Sequence, residues 1–433
     1  MILYSTKNRS HQVTLREAVI RGLAPDNGLY MPTEIRSLPR TFFGSLPERS
    51  FQEISFDVAK HLIGDSLPEQ ELKRIVDHTI QFDAPLVEVE KNIFALELFH
   101  GPTLAFKDFG ARFMSQLLGY FAKEEKKQIV ILAATSGDTG SAVANGFLGV
   151  NGTRVIVLYP KGKVSLIQEK QFTTLGQNVT AIEVDGTFDD CQSLVKKAFQ
   201  DENLRAEFFL TSANSINIAR LIPQSFYYFY AVSRLMHLNK PIVFSVPSGN
   251  FGNLTGGLLA QKMGLPIDHF VVATNKNDVV PEYLKTKEFK PRPSIQTISN
   301  AMDVGNPSNF ERILEIFGHD FERISNSISG YGITDDETRL ATREVKSKSQ
   351  YILDPHGAVG YAGLKKYLHS SQVGVFLETA HPAKFLEVVE ETLEEKIQIP
   401  ETLQRFMSGK KQVISMTNDF ARFKQLLTAL LTV

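Results

Sequence analysis

The chain has 433 residues, about three domains at ~150 residues each, enough to bury a core without disulfide or metal staples. Lys plus Arg number 47 and Asp plus Glu 48, so a net charge of −1 gives no global pull toward nucleic acid or an anionic membrane. The single cysteine, Cys191, excludes an intramolecular disulfide and any Cys-rich zinc site, and it suits a cytoplasmic protein.

The opening MILYSTKNRSHQ lacks the apolar core of a secretory signal, and no apolar run approaches the ~20 residues of a membrane helix. Val13 to Gly22 reads as a helix and Asp26-Asn27-Gly28 as a turn. Residues 50–82 carry apolar residues at helical spacing, so residues 1–90 are expected to form a mostly helical N-terminal domain.

From residue 93 the pattern becomes strand, loop, helix. Ile93–Phe99 is a buried-strand candidate, followed by a helix with Phe109, Phe113, Leu117 and Phe121 on one stripe. Gln128–Ala134, Val155–Tyr159, Val179–Val184 and Phe208–Thr211 read as further strands, with helices over 164–175 and 188–200. Ile242–Val246 and Phe270–Thr274 repeat the scheme. Apolar strands alternating with helices predict two parallel-rich α/β sheets covered on both faces. The tail Phe420–Leu431 is an amphipathic helix behind Asn418 or Asp419 as cap, expected to pack onto the body. The aromatic run Phe226–Tyr230 reads as core or a contact surface, and Glu390–Glu395 as a solvated helix face.

In such sheets ligands bind where strands run into helices. Ser248-Gly249-Asn250-Phe251-Gly252-Asn253 follows a strand and opens a helix. Its small residues let backbone N–H groups converge on an anion such as a phosphate monoester, although the same residues also suit a plain tight turn. Thr135-Ser136-Gly137-Asp138-Thr139-Gly140 suits a carboxylate or a phosphate, or equally a turn capped by Asp138 or Thr139. Lys107 lies among Ala105, Phe106 and Phe109; an apolar setting disfavours its charged form and favours a Schiff-base amine, whereas a lone lysine more often snorkels to solvent. Asn214-Ser215-Ile216-Asn217 with Arg220 gathers amide, hydroxyl and guanidinium donors at a strand-to-helix corner. His356 and His381 are weaker candidates, Cys191 reads as packing, and no histidine spacing suggests a metal site.

Together these segments resemble a known family. YSTKN, VTLREAV, ELFHGPTLAFKDFGARF, ATSGDTGSAVA, LYPKGKVSLIQEKQF, SANSINIARLIPQ, VPSGNFGNLTGGLLA, SNAMDVGNPSNFER, DPHGAVGY and ETAHPAKF occur in the order found in threonine synthases, pyridoxal-phosphate (PLP) enzymes of fold type II, the tryptophan-synthase-β-like fold. The resemblance implies a discontinuous large PLP-binding domain over 91–125 and 222–433, with a small α/β domain over 126–221. It makes Lys107 the lysine that carries PLP, Ser248 to Asn253 the cradle of the cofactor phosphate, and Thr379 the hydroxyl beside the pyridine nitrogen. It assigns Thr135, Ser136, Gly137 and Thr139 to the substrate carboxylate, and Asn214, Ser215, Asn217 and Arg220 to the substrate phosphate. Asp138 falls where many relatives of this fold place an Asn near the cofactor's phenolic oxygen, and a carboxylate donates no hydrogen bond there unless protonated.

The implied reaction is O-phospho-L-homoserine plus water giving L-threonine and phosphate, by β,γ-elimination and addition of water at the β-carbon. The expected partner is that small molecule, with neither nucleic acid nor membrane, in a monomer or homodimer. Three alternatives stay open from sequence: a lyase releasing 2-oxobutyrate, ammonia and phosphate; a dehydratase or β-replacement enzyme, which needs no γ-phosphate cradle; and a non-catalytic phosphate-binding protein.

Overall fold

The computed structural model describes residues 1–125 and 127–431. Contacts group the chain into two compact units, each with its own parallel-rich sheet. The first holds Met1, Met31–Phe106 and Leu221–Gln398; the second holds Ile2–Tyr30, Lys107–Arg220 and the stretch from Ile399 onward. The two predicted α/β sheets are therefore present.

The first unit's sheet has six strands in the spatial order Ile328–Gly332, His269–Thr274, Ile242–Pro247, Val373–Glu378, Ile93–Glu97 and Leu86–Glu90. All neighbours are parallel except the antiparallel edge strand Leu86–Glu90. The strands IVFSVP, HFVVAT and VGVFLE are buried throughout, as expected of strands covered on both faces. Helix Pro355–Tyr367 packs on them closely: a Cβ at Gly363 would stand 2.7 Å from the Ala273 Cβ. Helices Phe51–Ile63 and Glu69–Thr79 fall in the predicted helical stretch; the former opens with a Ser50–Glu53 capping box.

The second unit's sheet is wholly parallel, in the order Ile414–Thr417, Val179–Asp185, Thr153–Pro160, Ile129–Ala134 and Phe209–Ser212. Helix Lys107–Ala122 buries Phe109, Phe113, Leu117 and Phe121, the predicted stripe. The tail helix Phe420–Leu431 inserts Phe423, Leu427 and Leu431 into the core around Val130, Ile156 and Ile182, so it packs as predicted. Its first turn is capped by Asp419, whose Oδ1 accepts the Arg422 N–H at 2.8 Å.

Some strands lie outside the predicted set. Residues 1–90 contain the antiparallel pair Ile2–Ser5 and Asn8–Thr14, and the predicted helix starts at Leu15 behind the cap Thr14. Asn8–Thr14 is polar and mostly exposed, and Ile414–Thr417 has four residues at an edge, so neither carries a strong period-2 signal.

Candidate active site

In the first unit, the Ser248–Asn253 turn and Thr379 leave adjacent parallel strands at their carboxyl ends, and so share one end of the sheet. The turn is held from outside. Ser248 N–H donates to the Ala273 carbonyl (2.8 Å) and its hydroxyl to the Val246 carbonyl (2.8 Å). Asn250 Oδ1 accepts the Ser308 N–H (2.6 Å), and its carbonyl accepts the Asn309 amide (2.9 Å). Gly249 is required by close approach, because its Cβ would fall 2.7 Å from the Met302 Cα. Phe251 adopts a left-handed φ of 61° to start helix Gly252–Lys262, and no side chain caps that start. Asn253 Oδ1 receives the hydroxyls of Tyr227 (2.7 Å) and Tyr228 (2.8 Å), which leaves its Nδ2 buried without a partner.

A helix start with no side-chain cap, an unspent buried amide and no carboxylate in the turn form a donor-only set. These residues fit a phosphate monoester such as that of PLP.

Thr379 is buried, and its carbonyl accepts the N–H of Phe106 (2.8 Å), the residue preceding Lys107. Beneath it lies an acidic pair. Glu378 Oε2 accepts the Asp354 N–H (3.3 Å); burial, and then the Asp354 charge, hold the Glu378 carboxyl well above the usual range and keep it protonated. Asp354 accepts from His356 Nδ1 (2.6 Å), and His356 Nε2 accepts the Ala301 N–H (3.2 Å). Both nitrogens of His356 are thus spent locally. His381 is likewise anchored, its Nδ1 accepting the Ala383 N–H (3.1 Å), and burial lowers its pKa to about 4.

In the second unit, the turns after Ile129–Ala134 and Phe209–Ser212 again leave neighbouring parallel strands at one end of the sheet. Lys107 opens its helix with its side chain only 17% exposed, which removes the snorkelling alternative. Its Nζ stands 3.9 Å from Asp138 Oδ2. Asp138 Oδ1 accepts the Gln168 amide at 2.8 Å. Helix Asp138–Phe147 starts at Gly137 with a φ of 145°, and neither Asp138 nor Thr139 caps it. Thr135 is turned inward: its Oγ1 accepts the N–H groups of Gly137 (2.9 Å) and Gly140 (2.8 Å). Ser136 and Thr139 remain partly exposed.

Asn217 is also spent internally. Its Nδ2 donates to the Val19 carbonyl (3.0 Å) and its Oδ1 accepts the Ala219 N–H (3.0 Å). Asn214 Oδ1 is buried without a partner. Arg220 is buried and donates to the Ala213 carbonyl; burial lowers its pKa to about 10, opposed by the Asp108 charge, so it stays cationic at neutral pH. A Cβ at Gly110 would meet Arg220 Nε at 2.7 Å, so that glycine makes room for the guanidinium. No group of His, Cys, Asp and Glu among the described residues is arranged to hold a metal.

The sequence assigned no site role to Gln168, Asn309 or Glu378, and placed Tyr227 and Tyr228 only in an aromatic core or contact run. Only Gln168 carried a local signal, the Ser165-x-x-Gln168 spacing of a capping box.

Comparison with known proteins agrees along the whole chain. Residues 79–377 match the model described as pyridoxal-phosphate dependent enzyme, 3–80 that of the threonine synthase N terminus, and 357–427 that of the threonine synthase C-terminal region. Threonine synthase of Haemophilus influenzae is 47% identical over 428 residues, 99% of each chain, and that of Escherichia coli 43% over 99% of each. The PLP-bound threonine synthase of Brucella melitensis superposes with a TM-score of 0.95 at 34% identity, covering 100% of both chains. A diaminopropionate ammonia lyase from Escherichia coli, at 15% identity and a TM-score of 0.59 over 83% of this chain and 94% of its own, shares the fold alone. The chain belongs to the threonine synthase family of PLP-dependent, fold type II enzymes.

Proposed function

We propose that this protein converts O-phospho-L-homoserine and water to L-threonine and phosphate, the last step of threonine biosynthesis, with PLP carried on Lys107. The observation that carries this reading is the shielded Lys107 Nζ with the Asp138 carboxyl 3.9 Å away, in a chain that matches threonine synthases along its full length.

PLP, when bound, supplies the electron sink that lets hydrogens leave the α- and β-carbons as protons and the γ-phosphate depart. Lys107 Nζ, once free, takes the α-proton, and Asp138 gives the resulting ammonium a counter-charge. Ser248 to Asn253 hold the cofactor phosphate through the helix start and the unspent Asn253 amide. Thr379 sets a neutral hydroxyl beside the pyridine nitrogen, and protonated Glu378 adds no negative charge behind it. With PLP bound, these residues would place no negative charge against its pyridine nitrogen.

Ser136, Gly137 and Thr139, at the start of helix Asp138–Phe147, take the substrate carboxylate, and Thr135 fixes their turn by accepting the Gly137 and Gly140 N–H groups. Asn214, Ser215 and Arg220 take the substrate phosphate, while Asn217 builds the corner that presents them. Guanidinium suits that role because its paired donors match phosphate oxygens. For threonine to form, the abstracted protons would have to return at the α- and γ-carbons as the oxygen of water joins the β-carbon, and Lys107 Nζ would be the group placed to hold and return a proton. We place this activity in the cytoplasm, in a monomer or homodimer; the single, buried cysteine supports a reducing compartment, and no helix among the described residues is long and apolar enough to cross a membrane.

The test is product analysis by proton and phosphorus NMR with purified protein, PLP and O-phospho-L-homoserine. One threonine per phosphate is expected. Phosphate with 2-oxobutyrate and ammonia makes the protein a lyase, and no turnover of a PLP-loaded protein overturns the substrate.

A further inference from the structure

We propose that Gln168 is a positioning residue for the reaction: its amide fixes the Asp138 carboxyl, and through it the charge that faces Lys107. The inference rests on the reading of Lys107 given above. Ser165 caps helix Leu166–Thr173, accepting the Gln168 N–H at 3.3 Å. The Ser165 hydroxyl also donates to Gln168 Oε1 at 3.0 Å. That contact commits the amide's acceptor end, so its donor end, Nε2, faces Asp138 Oδ1 at 2.8 Å. Asp138 Oδ2 is then the oxygen directed at Lys107 Nζ, 3.9 Å away. The relay Ser165, Gln168, Asp138, Lys107 has one polarity, each member donating to the next as far as Asp138.

The fit is close. Gln168 is buried, and a Cβ on Gly137 would strike its side-chain carbon and oxygen at 2.5 Å. The absence of a side chain at residue 137 is therefore what lets Gln168 reach Asp138. In an ordinary capping box the residue at Gln168's position would reach back to the cap's own backbone N–H; here it is redirected across to the next helix.

The other charged groups around this helix are engaged elsewhere. Glu169 lies against Tyr159 (2.8 Å) and Lys411 (2.5 Å). Lys411 also meets Glu183 (2.7 Å), and Lys170 donates to the Gly409 carbonyl (2.7 Å). Asp138 and Lys107 are the ionisable pair that Gln168 addresses.

The experiment compares Gln168→Glu and Gln168→Met with the wild type, all loaded with PLP. Steady-state kinetics and the pH midpoint of the visible absorbance of cofactor on Lys107 are read together. Gln168→Met should lower kcat about tenfold with KM for O-phospho-L-homoserine within about twofold. Gln168→Glu sets a second carboxyl against Asp138. Its kcat loss should shrink as pH falls, because a protonated Glu donates again, and its absorbance midpoint should rise by about one pH unit through the added negative charge. Equal losses in both variants at every pH, with an unmoved midpoint, overturn the proposal and leave Gln168 a packing residue. If Gln168→Met does not fold, the nearly isosteric Gln168→Glu alone carries the midpoint test. Wild-type threonine formation and reductive trapping of PLP on Lys107 separate failure of this inference from failure of the reading beneath it.

Discussion

Replacing Glu378 with Gln tests the charge state of the acid next to Thr379. Glu378 is fully buried, and burial followed by the Asp354 charge raises its pKa well above the ordinary 4.5. A carboxyl whose folded pKa is raised stabilises the fold fully below its unfolded pKa, and that contribution is lost as pH climbs toward the folded pKa. In that window unfolding releases a proton, so stability falls by about 1.4 kcal/mol per pH unit. Gln keeps the shape: its oxygen accepts the Asp354 N–H, its NH2 donates to the Asp354 carboxylate, and it does not titrate. Glu97, Tyr351 and His356 surround the pair in both proteins, so the comparison isolates the Glu378 side chain.

As pH rises from the ordinary carboxylate range toward the raised folded value, the stability gap should therefore widen in the variant's favour by about 1.4 kcal/mol per pH unit. At roughly 2 °C per kcal/mol for a unit of this size, the gap in Tm should grow by about 3 °C per pH unit. Calorimetry at several pH values and constant ionic strength reads this directly. Two Tm profiles that run parallel across that range would mean Glu378 is ionised in the fold, and the account of a neutral Thr379 end would fail with it.

Lys107→Ala should leave no residue labelled when the PLP-loaded protein is reduced with borohydride, with threonine formation down at least about 1000-fold; a label appearing elsewhere would move the cofactor lysine. Gly249→Ala places a Cβ 2.7 Å from the Met302 Cα and should destabilise by about 1–3 kcal/mol, read as a lower Tm and a weaker Kd for PLP. Arg220→Lys keeps a positive charge near Asp108 but loses the paired donors, so KM for O-phospho-L-homoserine should rise about 10- to 100-fold with PLP affinity unchanged.

Most of the α/β framework was legible because strands such as Ile242–Pro247 and His269–Thr274 are buried on both faces and so read as short apolar runs. The tail helix was legible because its apolar residues keep helical spacing behind an acidic cap. Some edge strands were not, although Phe209–Ser212, an edge of the second sheet, was. Leu86–Glu90 reads LVEVE, with one buried residue, and pairs with its chain neighbour Ile93–Glu97; Ile414–Thr417 buries only Met416 and is defined by pairing with Val179–Asp185, far along the chain. Where the chain divides into units is equally non-local, since residues 31–106 join 221–398 through contacts that no window of sequence contains.

For the site, residue type located the turns but did not say which side chains face a ligand. Thr135, Asn217 and Asn250 have the same polar character as Ser136, Asn214 and Asn253, yet the first three direct their hydrogen-bonding groups into the protein. The reason is physical. A turn that aims backbone N–H groups outward cannot satisfy its own polar groups through secondary structure, so nearby side chains must hold it in shape. Thr135 does this for the Gly137–Gly140 turn, and Asn217 for the corner before Arg220. The side chains left unspent are then the informative ones. Asn253 Nδ2 is a donor buried with no partner, a state that is destabilising by about 1–3 kcal/mol unless an acceptor such as a phosphate oxygen relieves it. Polar motifs in sequence thus mix scaffold with contact, and only the hydrogen-bond inventory of the folded chain separates them. The same inventory brought out Gln168, whose capping-box spacing in sequence gave no sign that its amide crosses to Asp138.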